Sequence, residues 1–136
     1  MSLDVSEDLL SKAEAGEVTD AEFLDCVKQS LPFAWDLFAK VADDLKNGVV
    51  SSTGSTQFAD NTVPPPDEQA RGQLLRALAS DSMRAALERH HGVKFAFQNC
   101  HRIAAFPASE VDSDAYRRFT SPRGQLLNQS PELKDC

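Results

Sequence analysis

His90, His91, Cys100 and His101 crowd into one short stretch, and they include every histidine of the chain and one of its three cysteines. Zinc takes nitrogen and sulfur ligands tetrahedrally, and imidazoles that are neutral near pH 7 are ready ligands. The order His-His-x8-Cys-His follows no zinc spacing, however. Neighbours on a strand also point to opposite faces, so Cys100 and His101 would both ligate only if a turn twists them together. The plainer reading makes His90 a half-buried helix residue, His91 solvated and Cys100 a small core residue. Cys100 beside His101 also has the composition of a thiolate and its base. Such pairs usually meet through the fold and not as chain neighbours. No Gly-x-Ser-x-Gly elbow offers another nucleophile.

A second group is basic. Arg102, Arg117, Arg118 and Arg123, with Lys94, gather in the C-terminal half. Guanidinium grips carboxylate or phosphate with two parallel hydrogen bonds, and the turn Ser121-Pro122-Arg123-Gly124 could add backbone donors. No glycine-rich phosphate loop accompanies them. Residues 1–68 hold 4 basic and 14 acidic positions, and residues 69–136 hold 10 and 7. The arginines therefore have an alternative use, as partners of acidic N-terminal helices.

The net charge of −7 works against polyanion binding. Phe95, Phe97, Tyr116 and Phe119 near basic residues resemble a stacking surface, but Phe95 and Phe97 share a strand face with Val93, which marks core. No nucleic acid is expected. The segment Phe58-Ala59-Asp60-Asn61 with Val63-Pro64-Pro65-Pro66 reads as a stiff spacer, with a lid or a recognition segment as alternatives. Asp60, Asp67 and Glu68 are too unpatterned for a calcium loop. No cofactor is implied.

These residues need elements to hold them. Ser6 followed by Glu7 and Asp8 caps a first short helix, which Gly16 can end. Thr19 and Glu22 form a capping box, with Val18 and Phe23 as its hydrophobic staple, so a helix starts at Thr19 or Asp20. Pro32 lacks an amide proton and opens the next helix. Its apolar stripe runs Ala34, Leu37, Phe38, Val41 and Leu45, and Asn47-Gly48 stops it. Residues 49–66 lack helical periodicity and read as a long loop, with Val49 and Val50 as weak strand candidates. Asp67 and Glu68 open a helical stretch to His91 that is either continuous or broken at Ser80, and Gly92 closes it. The period then changes to two. Val93–Phe97 and Arg102–Phe106 form a hairpin with Gln98–His101 as its turn. Such a hairpin is marginal alone, so it needs helices, a third strand or a second copy as cover. Ser109-x-x-Asp112 caps a helix holding Tyr116 and Phe119, and residues 120–136 read as an irregular tail.

One domain of 136 residues is expected. Its class is α+β, four or five helices with a small antiparallel hairpin at 93–106, and the alternative is a mainly helical bundle. Three scattered cysteines are no disulfide framework. The N-terminus lacks a signal-peptide pattern, and no apolar run is long enough for a membrane span. A cytoplasmic protein without membrane contact is expected. Its function reads as interaction or regulation through protein contacts, including self-association through residues 93–106. The alternative is a binder of, or enzyme acting on, a small anionic molecule held by Arg102, Arg117, Arg118 and Arg123, with His101 moving a proton. A metal site at the His/Cys group is the third reading.

Overall fold

The computed structural model describes residues 3–53, 56–61, 63–98 and 101–127 (only the backbone at 51–53 and 56). The α+β class holds, with seven helices among the described residues where four or five were expected. The first three are α1 (Glu7–Glu14), α2 (Asp20–Ser30) and α3 (Pro32–Lys46). Strands β1 (Ser51–Thr53) and β2 (Thr56–Asp60) follow, then α4 (Glu68–Leu78) and α5 (Asp81–His91). The hairpin is β3 (Val93–Gln98) and β4 (Arg102–Pro107), and a 3-10 turn at Ala108–Glu110 leads to α6 (Asp114–Phe119) and α7 (Pro122–Leu127).

Local chemistry sets the helix ends. Thr19 Oγ1 accepts from Glu22 N–H while the Glu22 side chain accepts from Thr19 N–H, the expected reciprocal cap. Helix α3 starts at Pro32 behind Leu31, which has no capping oxygen. Gln73 on α4 serves instead, its Oε1 accepting from Phe33 N–H at 2.8 Å and Ala34 N–H at 3.2 Å. The break at Ser80 is real, because its hydroxyl accepts from Met83 N–H and starts a new helix. Gly92 ends α5 at φ 68°, a left-handed conformation that glycine enters without steric cost. The last helix pair departs from expectation. Ser113, not Ser109, caps α6, and Pro122–Leu127 is helical where an irregular tail was read.

The sheet order is β1-β2-β4-β3, all antiparallel. The 49–66 stretch is thus not all loop: it supplies two strands, one residue beyond the valines suggested for pairing. Cover for the hairpin comes from within the chain, since β2 pairs with β4. Asn61 secures that seam, its Oδ1 accepting from Ile103 N–H at 2.9 Å and its Nδ2 donating to the His101 carbonyl at 2.7 Å.

Side-chain alternation gives the sheet two unlike faces. Phe95, Ile103 and Ala105 face α2–α5 and join Val27, Leu31, Phe38, Val41, Leu74 and Leu87 in the main core. Ala96, Ala104, Phe106 and Phe58 face the other way and cluster with Ala115 and Phe119 of α6, with Tyr116 partly buried beside them. Gln98 and Arg102 belong to this second face, as the last paired residues of the hairpin. The outer edge of β3 is guarded. Glu88 accepts from Phe95 N–H at 2.9 Å and pairs with Lys94 at 3.3 Å. An edge amide taken by a side chain is closed to strand pairing.

Candidate ligand cavity on the second face

The chemistry-bearing residues do not converge as one group. His90 and His91 lie before β3, and His101 lies beyond its far end. Five strand steps of about 3.3 Å separate the two places by roughly 17 Å. Among the described residues no three His, Cys, Asp or Glu side chains gather to hold a metal ion. Cys100, needed for both the metal and the thiolate readings, lies outside the described residues.

His91 is the buried member of its pair and His90 the exposed one, the reverse of the expectation. The helix turns so that His91 packs 5.9 Å from the Phe95 ring and 6.0 Å from Trp35, while the exposed His90 lies tilted at 5.5 Å from Trp35. His91 Nε2 is buried without a hydrogen-bond partner among the described residues. Burial, then the adjacent His90 and Lys46, push its pKa down to about 4, against a smaller opposing pull from Asp43. His101 is half-buried with Nδ1 unpartnered among the described residues, and burial, then the positive charges of Arg102 and Arg71, lowers its pKa too. Both rings are therefore neutral at pH 7.

The arginines divide. Arg117 is exposed and pairs with Asp114 one turn away at 2.7 Å. Arg123 is exposed on α7 and does not line a cavity with the others. Arg102 and Arg118 do come together, on a cavity of about 250 Å³ between the sheet and the α6–α7 corner. Its apolar walls are Phe58, Phe119 and Leu127. Arg102 is held on three sides. Its Nε and Nη2 donate to Asp60 Oδ2 at 3.0 and 2.5 Å, Nη1 lies 3.4 Å from Gln98 Oε1, and the guanidinium sits 5.1 Å over the Phe119 ring. The acidic partner expected from the N-terminal helices is instead a carboxylate on the neighbouring strand. Arg118 is exposed and forms no ion pair among the described residues, although its charge adds, after that of Arg117, to the lowering of the Asp114 pKa.

Gln98, 3% exposed, ties the corner to the sheet by donating from Nε2 to the Phe119 carbonyl at 2.6 Å. Gly124 allows the close approach of α7, because a Cβ there would overlap the Arg118 carbonyl oxygen. The Ser121 hydroxyl accepts from Gly124 N–H at 2.9 Å and caps the turn of α7. Sequence reading places Gly124 with the arginines, in the turn 121–124, but does not join Phe58 and Gln98 to them. Gln98 closes strand β3 where a turn is expected, and Phe58 sits in β2 where a loop is expected. The available signal was an apolar residue alternating within a polar stretch, Gln57-Phe58-Ala59-Asp60.

A family model described as the NucS shadow ORF matches residues 1–136. The chain belongs to that family. The description names a reading frame and no reaction. No curated protein and no solved structure matches the chain. No helix among the described residues is long and apolar enough to cross a membrane.

Proposed function

We propose that the protein acts by binding, in the cytoplasm, and that its ligand is a small anionic molecule held in the cavity of the second face. The observation that carries this reading is Arg118, an exposed arginine that lines a cavity with Phe58 and Phe119 and forms no ion pair among the described residues. Apolar walls with a few fixed polar groups are the usual make-up of a small-molecule site. Gln98 and Asp60 support it by fixing Arg102 and Phe119 before any ligand arrives, so little ordering cost falls on binding. Of the four arginines read as candidates, Arg118 is the ligand's cation and Arg102 a structured wall, while Arg117 and Arg123 stand outside. A thermal-shift screen of small carboxylates and phosphates tests the reading, since a ligand of the native state must raise the unfolding midpoint. A rise with at least one anion class is expected. A flat result across the panel overturns it.

Protein contact is the second reading, and the observation that favours it is α7, whose Leu126 and Leu127 are 71% and 69% exposed. The guarded β3 edge moves this proposal away from strand pairing at 93–106 and onto the helix. Size-exclusion chromatography with light scattering checks it. Self-association that Leu126→Ser abolishes is the expected result, and a strict monomer at high concentration with no captured partner counts against it.

A further inference from the structure

We infer that the exposed face of α7 is covered by α1 of a second copy of this chain, in a head-to-tail contact. This rests on the protein-contact reading of α7 and names its partner. Three observations carry it.

The first is the make-up of the α7 surface. Leu126 and Leu127 follow Arg123 by three and four positions, so the three share one side of the helix. All are exposed, the leucines at 71% and 69%. Arg118 adds a second positive charge beside Leu127, with which it lines the cavity. Neither arginine forms an ion pair among the described residues.

The second is α1. Glu7, Leu10 and Glu14 are spaced three and four apart on one side of that helix. All three are exposed, Leu10 at 52%. Neither glutamate forms an ion pair among the described residues. A leucine between two carboxylates on α1 thus matches two leucines beside guanidiniums on α7, apolar to apolar and charge to opposite charge.

The third is placement. The N-terminal arm docks on α2, on the main-face side. Lys12 Nζ donates to Glu22 at 2.6 Å, and Asp4 N–H donates to Ser30 Oγ at 2.9 Å. Helix α7 settles on α6, which lies over the second face. The sheet stands between the two surfaces, and both stay exposed within the chain, so they meet between copies. Unlike surfaces in contact make a heterologous interface, which adds copies one after another unless a ring closes. Patches built on so few leucines place the contact in the small, transient class, with opposite charge orienting the encounter.

Light scattering on the full chain tests this, with thermal unfolding as the check that each variant folds. At low ionic strength the mean mass should rise above the monomer with concentration. It should return to the monomer at about 1 M salt, where charges are screened beyond about 3 Å. Leu10→Ser alone and Leu126→Ser alone should each give a monomer. Mixed in equal amounts they should give a dimer and nothing larger, because each supplies the face that the other lacks. Glu14→Lys should weaken association about fivefold, the scale of an exposed ion pair, and Arg123→Glu added to it should restore the loss. Association that Leu126→Ser abolishes and Leu10→Ser leaves intact overturns the head-to-tail contact and leaves the α7 reading in place. So does a strict monomer that captures a foreign protein through α7. A strict monomer without any captured partner, or association that ignores Leu126→Ser, removes both.

Discussion

The two faces of the sheet are built by different means. On the main face four helices of 11 to 15 residues, α3 at their centre, bury Phe38, Leu31, Leu74 and Leu87 completely. On the second face two helices of six residues each lie over a few aromatic rings. Helices of that length do not persist alone. They stay because Gln98 holds the Phe119 carbonyl and because Gly124 lets α7 settle on the end of α6. Stability is therefore concentrated on one side and the cavity on the other. Regions with few buried apolar contacts are where binding sites are commonly placed.

Truncations should expose that asymmetry. Phe38→Ala, in the fully buried centre of the main face, is expected to lower unfolding free energy by about 3–5 kcal/mol, read as a shifted urea midpoint for the whole chain. Loss confined to α6 and α7 would break the comparison.

Acid should act on the main face next. The folded-state pKa of His91 lies below the ordinary value, at about 4, so the unfolded chain takes up the proton first. The stability tied to neutral His91 is fully present above about pH 6.5. It is lost as the pH falls from there toward 4, by up to about 3 kcal/mol. His101 is shifted in the same direction and adds to the loss. Thermal midpoints measured from pH 7.5 to 4 should fall, and His91→Leu should flatten most of that slope.

A smaller, local effect belongs to the second face. Gly124→Ala forces α7 off the Arg118 carbonyl, and the cost expected for overpacking is about 1–3 kcal/mol. Hydrogen exchange should quicken at the Gln125 amide, which donates to the Ser121 carbonyl, and stay unchanged in α3. Equal quickening in α3 would mean that the faces unfold as one unit. Smallest of all, Arg118→Gln should change stability by less than about 0.5 kcal/mol, so that any effect on ligand affinity is read cleanly.

Much of the main face was legible in the chain. Thr19 and Glu22, Pro32, Ser80 and Gly92 each act within four residues, and local rules reach that far. The hairpin at 93–106 showed itself because its apolar residues alternate. What stayed hidden depends on distant partners. Asp60 and Arg102 meet across 42 residues, and nothing in Asp60 alone announces that. Strands β1 and β2 are short and polar, so their sequence resembles loop. Gln73 capping α3, and Gln98 holding α6, are contacts that only the packed chain creates. The choice of His91 over His90 for burial followed from the angle at which α5 sits on Trp35, which periodicity places only to within a residue.

Glu88 has a bearing on more than the shape of β3. Open sheet margins invite further chains to add on, and fibre growth begins that way. With the Phe95 amide already claimed and Lys94 alongside, an incoming strand would have to evict a charged side chain before its first rung could form. The molecule carries its own stopper against stacking into ribbons on that side.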